Sequence, residues 1–164
     1  MRIVAGEFRG RTLTAPAGDA TRPTAARARE ALFSILAQVS EARVLDLYAG
    51  SGALGFEALS RGAERATLLP LRTEASFSAL ARHGPFSLVF ADPPWADAQA
   101  AFGVLLRLAS ASLLSPAARL VLEHAARGAP NVPENSPLCQ VDTRRWGDTA
   151  VTIFAVESGP GAGT

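Results

Sequence analysis

The sequence has 164 residues, a length typical of one domain that buries its own hydrophobic core. Its 48% hydrophobic and 19% charged residues exclude a disordered chain, and no apolar run approaches the roughly 20 residues of a membrane helix. The single cysteine, Cys139, excludes an internal disulfide and a cysteine-rich metal site. The basic, strand-like start "MRIVAGEFRGR" predicts no secretory signal. We therefore expect a cytoplasmic protein.

The formal net charge of +1 is unevenly distributed along the chain. Residues 1–29 contain six arginines and two acidic residues, a local charge of +4. Guanidinium groups pair well with phosphate oxygens, so this segment is a candidate nucleic-acid contact. The candidate RNA-binding residues are Arg9, Arg11, Arg22, Arg27 and Arg29. A solvated hairpin followed by an exposed helix face explains the same charges equally well.

In chain order, residues 1–24 predict a basic hairpin, with two short strands turning near Gly6–Gly10, and a loop. Thr24 is the predicted N-cap of a helix over about Ala25–Val39. That helix has one apolar stripe, and the arginines at 22, 27 and 29 lie off it. From there to residue 157 strands and helices alternate, which is typical of a doubly wound α/β fold. The last two strands turn at Gly147-Asp148, and residues 158–164 are expected to be a disordered tail.

A glycine-rich turn follows the first strand of the predicted sheet, in the sequence "DLYAGSGALG" from Asp46 to Gly55. Its glycines match the G-x-G-x-x-G pattern of dinucleotide sites, which is a weak signal alone. Such sites place an acid about 20 residues further on, at the end of the second strand. Here that position holds Leu69-Pro70-Leu71, so a dinucleotide is disfavoured. The strand-end carboxylate of Asp46 instead suits the methionine ammonium of S-adenosylmethionine.

A second signal is "FADPPW" at residues 90–95, directly after an apolar strand. Two consecutive prolines end the strand because they remove two backbone donors. Asp92 and Trp95 are thereby placed at the carboxyl edge of the sheet, where open α/β sheets bind ligands. On this stretch alone, a plain strand-terminating turn is as good an interpretation.

Six motifs occur in order along nearly the whole chain: "AGEFRGR", "TRPTAARAREALFSIL", "VLDLYAGSGALGFEALSRGA", "FSLVFADPPW", "LVLEHA" and "RRWGDTAV". Together they resemble the RsmD family of S-adenosylmethionine-dependent methyltransferases. The resemblance implies methylation of the exocyclic N2 amine of a guanine in small-subunit (16S) ribosomal RNA. It also implies a Rossmann-like α/β sheet whose last strand is antiparallel, with residues 25–157 as the methyltransferase domain.

The resemblance implies a role for each matched residue. Those implied to hold S-adenosylmethionine are Asp46, Tyr48, Ala49, Gly50, Ser51, Gly52, Glu74 and Ala75. Those implied at the reacting amine are Asp92, Pro93, Pro94 and Trp95, with the Asp92 carboxylate and the Pro93 carbonyl as acceptors and Trp95 stacked on a flipped base. The implied partner is small-subunit ribosomal RNA or the assembling 30S particle. We expect a monomer that needs no metal and contacts no membrane.

The chain departs from the family after its second strand, near Leu69-Pro70. Relatives have an acid there for the cofactor ribose, then a helix and a third strand. Parallel strands need a crossover of about a dozen residues or more, and no room for that helix remains before "FSLVF". We therefore expect either that one strand-helix unit is missing or shortened, or that the sequence omits an internal segment of about 20–25 residues, a size set by crossover geometry.

The remaining candidates are weaker, and two other functions stay open. His83 and His124 are not in a metal-ligand cluster, and Ser51 lacks the surroundings of a hydrolase nucleophile. Glu123 ends a strand at the same edge as Asp92, where it either lines the pocket or is structural. The alternatives are an adenine-N6 DNA methyltransferase, which uses a similar Pro-Pro-aromatic corner, and a catalytically impaired RNA-binding or assembly factor.

Overall fold

The computed structural model describes residues 1–14, 23–69 and 77–157, which form a six-stranded sheet with helices packed on it. No helix among these residues is long and apolar enough to cross a membrane. The helices are α1 (Pro23–Leu36), α2 (Ala53–Ser60), α3 (Phe77–Ala81) and α4 (Ala98–Ser110), with a 3-10 turn at Trp95–Asp97. The strands are β1 (Arg43–Leu47), β2 (Arg65–Leu69), β3 (Phe86–Ala91), β4 (Leu114–Ala125), β5 (Leu138–Trp146) and β6 (Thr149–Val156).

The strand order is β2-β1-β3-β4-β6-β5. The first four strands in this order are parallel, and β6 runs antiparallel to both of its neighbours. The expected α/β sheet with an antiparallel last strand is thus confirmed. Apolar side chains cover both faces of the sheet, one layer including Phe102 and Phe154 and the other including Phe33 and Phe90. Burial on both faces explains why β1 and β3 are almost continuously apolar.

Strand register brings three side chains to one row at the carboxyl edge. Leu47 pairs with Ala91, and Ala91 pairs with Leu122. The residues that follow these three are Tyr48 after β1, Asp92 after β3 and Glu123 within β4. Neighbouring strands lie about 4.8 Å apart, so these three positions adjoin one another.

The N-terminal arm, residues 1–13, differs from the predicted pair of strands. It has a single antiparallel bridge, Arg2 to Thr12, supported by the Ile3 amide donating to the Arg11 carbonyl at 3.1 Å. Glycine is required at Gly6, where φ is +82° and an added Cβ would overlap the Ser60 carbonyl. Polar contacts with α2, rather than strand pairing, hold the arm on the domain.

Three expectations for α1 are corrected. The helix begins at Pro23, one residue before the predicted N-cap, since proline suits the first turn of a helix. It ends at Leu36 rather than at Val39, although Val39 is buried as expected. Arg29 was expected off the buried face, yet it is only 6% exposed because an acid of α2 lies beside it.

The crossover from β2 to β3 spans residues 70–85 and contains the short helix α3. The expectation that this connection has no room for a helix is therefore wrong in part, since one short helix fits. β2 is the edge strand, and no strand lies beyond it among the described residues. The proposed loss of a strand-helix unit remains a prediction. Pro70 at the junction, and the 158–164 tail, lie outside the described residues.

Candidate active site

The turn between β1 and α2 has three residues with left-handed backbone: Tyr48 (φ 60°), Gly50 (φ 50°) and Gly52 (φ 73°). The Ala49 amide donates to the Leu69 carbonyl at 3.1 Å, which ties the turn to the end of β2. In the described part of the chain, the amides of Gly50 and Ser51 donate to no backbone carbonyl. These amides, together with the positive end of α2, can receive an anionic group such as a carboxylate.

Asp46 lies beneath this turn and is 1% exposed. Its Oδ2 accepts a hydrogen bond from the Gly55 amide at 2.9 Å, which fixes the first turn of α2 to β1. Burial raises the pKa of Asp46 to about 7; the Gly55 hydrogen bond opposes this rise and the charge of Asp92 adds to it. A cation beside Asp46 would favour its ionised form. The chemistry of this donor set therefore fits a ligand with an ammonium and a carboxylate, as in the methionine end of S-adenosylmethionine.

The Asp-Pro-Pro-Trp stretch leaves β3 at the same edge. Asp92 is exposed and Pro93 is buried, so the stretch is anchored while its acid faces outward. A 3-10 turn follows, in which the Asp97 amide donates to the Pro94 carbonyl at 2.8 Å. Trp95 is 44% exposed, although large aromatic side chains are usually buried. An exposed indole beside an exposed carboxylate offers a stacking surface next to a hydrogen-bond acceptor.

Glu123 was expected to end its strand, but β4 continues to Ala125 because His124 and Ala125 still pair with β6; Glu123 itself is partly buried. Burial raises the pKa of its carboxyl group to about 7, and the negative charge of Asp92 raises it further in the same direction. Burial also raises the pKa of Tyr48, with a contribution from Asp97. The edge of the sheet is thus lined by acids that influence one another, as is common at functional sites.

Glu74, Ala75 and Arg22 are outside the described residues. Arg9, Arg11 and Arg27 are exposed, and the Arg11 guanidinium lies 5.0 Å from the centre of the Phe8 ring. His83 is partly buried; His124 is buried, and its Nε2 lies 2.8 Å from the Thr152 hydroxyl. No group of three or more His, Cys, Asp or Glu side chains suited to a metal occurs among the residues described here.

Glu57, on α2, is a residue that sequence reasoning did not single out. Its side chain is fully buried, and its two oxygens accept from the Val4 amide at 2.8 Å and the Ala5 amide at 3.0 Å. Ser60, one turn later, accepts from the Phe8 amide at 2.9 Å. The signal was a lone acid on the apolar stretch "ALGFEALS", where a charge must have buried partners.

Two arginines neutralise Glu57. Arg61 donates from Nε at 2.9 Å, and the Nε of Arg29 lies at 3.7 Å. Arg29 also donates to the Arg2 carbonyl at 2.7 Å, so it joins α1, α2 and the arm. Arg29 is thus committed within the protein, and its predicted role in RNA binding is replaced by this structural one. The network fixes the arm to the helix that starts at the glycine turn.

The fold is that of the class I S-adenosylmethionine-dependent methyltransferases. A solved structure of this fold, magnesium protoporphyrin IX methyltransferase from Synechocystis PCC 6803 with bound SAM, superposes with a TM-score of 0.55 at 15% identity. That match covers 85% of this chain and 87% of the other. The yhhF protein of Escherichia coli superposes with a TM-score of 0.76 at 33% identity, covering 96% of this chain and 98% of that one.

The model of the family described as "Conserved hypothetical protein 95" matches residues 1–81 and 71–155. The chain is 36% identical over 159 residues to ribosomal RNA small subunit methyltransferase D of Escherichia coli K12, an alignment that covers 82% of this chain and 80% of the relative. The chain belongs to this methyltransferase family, as its sequence motifs indicated.

Proposed function

We propose that this protein transfers a methyl group from S-adenosylmethionine to the exocyclic N2 amine of a guanine in small-subunit ribosomal RNA. The single observation that carries the proposal is the placement of Asp92, in an Asp-Pro-Pro-Trp stretch, at the same sheet edge as Asp46 and the glycine turn. The family relationship to a small-subunit ribosomal RNA methyltransferase supports it.

The cofactor would be held by the turn between β1 and α2. The amides of Gly50 and Ser51, which donate to no backbone carbonyl among the described residues, would receive its carboxylate, and the Asp46 carboxylate would pair with its ammonium. Bound there, S-adenosylmethionine supplies an electrophilic methyl group on a sulfonium. Tyr48, Ala49 and Gly52 shape this turn, and Glu74 and Ala75 remain proposed contacts to the adenine ring from outside the described residues.

The base would be held by the stretch after β3. The Asp92 carboxylate and the Pro93 carbonyl would each accept a hydrogen bond from one N–H of the amine. The nitrogen lone pair would then face the incoming methyl group. Trp95 would stack on the flipped base, and Pro94 fixes the turn that carries the indole. Positioning and electrostatics then account for catalysis, because no covalent intermediate is needed.

The arm would contact the RNA backbone through Arg9 and Arg11. The exposed Arg27 of α1 is a further proposed contact. Replacing Arg9 and Arg11 together with alanine should weaken RNA binding and flatten its salt dependence. Each lost phosphate contact removes roughly 0.7–0.9 from the slope of log affinity against log salt. Arg65 and Arg119, both exposed and nearer the opposite edge, provide the matched double variant. Equal slopes for the two double variants would contradict the proposed RNA surface.

A catalytically impaired RNA-binding factor is the second candidate, favoured by Pro70 at the position where relatives have the ribose-binding acid. Calorimetric titration with S-adenosylmethionine separates the two functions. We expect saturable heat from the wild-type protein and a large loss of affinity in Gly50→Val, whose side chain would fill the space that the ligand needs. Absence of heat from the wild-type protein would favour the second candidate.

Gly147→Val is the matched control for that titration. Gly147 also has a left-handed backbone (φ 62°), and no neighbouring atom lies within 4 Å of an added Cβ. The two variants therefore share backbone strain, but only Gly50 belongs to the turn that is proposed to hold the cofactor. If both variants bound the cofactor equally well, the pocket would be assigned to the wrong turn.

A further inference from the structure

Glu123 is a partly buried carboxylate beside the proposed methylation site. In the part of the chain that the structure describes, no hydrogen bond or ion pair holds this carboxylate, although its neighbour His124 is bonded on both ring nitrogens. Partial burial of an acid without a partner is unfavourable in the isolated protein. A ligand with a hydrogen-bond donor would remove that cost.

Glu123 and Asp92 are neighbours across two parallel strands. The last registered pair is Ala91 with Leu122; Asp92 is the first residue after β3, and Glu123 is the next residue of β4. The charge of Asp92 acts on the carboxyl group of Glu123. Two acceptors therefore lie side by side at the sheet edge, about 4.8 Å apart at the backbone.

This pair of acceptors suits the Watson–Crick edge of guanine better than that of adenine. On its Watson–Crick edge, guanine has two adjacent donors, N1–H and the N2 amine. Adenine has the N6 amine beside N1, which is an acceptor. A second carboxylate next to the amine therefore gains a hydrogen bond from guanine and faces a lone pair in adenine.

We propose that Glu123 accepts the N1–H of the target guanine while Asp92 holds the N2 amine, which makes Glu123 a specificity-determining residue. The inference rests on the proposed function and adds to it the basis on which guanine is chosen over adenine. In the complex, one donor of the base would face each acid, which lowers the repulsion between the two carboxylates.

The test uses small-subunit ribosomal RNA in which the methylated guanine, located by mass spectrometry, is replaced by 2-aminopurine. That base keeps the exocyclic amine at C2 but has an acceptor at N1. Sites that hydrogen-bond an N–H reject analogues that lack it by about 10⁴–10⁵-fold. We expect the wild-type protein to favour guanine by at least about a hundredfold in kcat/KM, a bound set below that range.

Glu123→Gln should weaken this preference for guanine. The glutamine amide can donate to N1 of 2-aminopurine, so the guanine to 2-aminopurine ratio should fall by at least tenfold. A purely structural role would change both rates together and leave the ratio unaltered. Glu134→Gln, at an exposed loop acid, is the matched control and should keep the wild-type ratio.

Three outcomes overturn the inference. An unchanged ratio in a folded Glu123→Gln protein overturns it while the proposed function stands. Equal wild-type rates on the two RNAs overturn it without any variant, which covers the case in which Glu123→Gln does not fold. If the wild-type protein methylates neither RNA, the proposed function fails and the inference fails with it.

Discussion

Replacing Asp92 with alanine is expected to reduce methyl transfer by about 10²–10³-fold, while the affinity for S-adenosylmethionine stays within a few-fold of wild type. Removal of one preorganised polar group at a reacting centre typically costs about 10²–10³ in rate. Asp92 is exposed at the strand end and is proposed to serve the substrate amine rather than the cofactor. Single-turnover methyl transfer and calorimetry on the same preparation measure the two quantities.

Asp148→Asn is the matched control for the Asp92 variant. Asp148 is an exposed acid in the turn between β5 and β6, and that hairpin meets β4 at Ala125, near the same edge. Its replacement removes a negative charge without touching the Asp-Pro-Pro-Trp stretch, so both rate and affinity should be unchanged. Loss of cofactor binding in Asp92→Ala, with folding intact, would show that Asp92 serves the cofactor instead.

The second large effect is expected at Glu57, where glutamine should lower the free energy of unfolding by about 3–5 kcal/mol, the range for breaking a buried ion pair. The substitution keeps the size of the side chain but leaves Arg29, 6% exposed, without its counter-charge. It also replaces one acceptor oxygen by a donor facing the amides of Val4 or Ala5. Urea unfolding measures the loss.

Hydrogen exchange tests where that loss arises. The amides of Val4 and Ala5 should lose protection in Glu57→Gln, because their acceptors are on this carboxylate. Glu64→Gln, at an exposed acid, should change stability by less than about 0.5 kcal/mol, as is usual for surface positions. A change of that small size in Glu57→Gln would contradict the account of how the arm is held.

Much of the sheet was predictable because several of its strands contain apolar runs bounded by turn residues. β1 and β3 follow directly from this pattern, whereas the β5–β6 hairpin follows from its turn, which lies at Gly147 as the glycine predicts. The site could be predicted to the extent that it lies at strand ends: Asp46, Asp92 and Glu123 reach one edge because parallel strands end together.

What could not be predicted depends on contacts distant in sequence. Arg29 was expected at the surface because it lies off the apolar stripe of its own helix, and only Glu57 of another helix explains its burial. The arm was expected to form two strands, since its alternation and glycines fit a hairpin. Its backbone amides instead bond to Glu57 and Ser60, and one bridge remains. Side-chain acceptors thus replaced strand pairing.

The central claim is that a methyl group is placed on the N2 amine of guanine. The most direct measurement is mass spectrometry of nucleosides from small-subunit ribosomal RNA incubated with the protein and isotopically labelled S-adenosylmethionine. We expect labelled N2-methylguanosine, formed far more slowly by Asp92→Ala and at the wild-type rate by Asp148→Asn. Labelled N6-methyladenosine, or no labelled nucleoside from a protein that binds the cofactor, would contradict it.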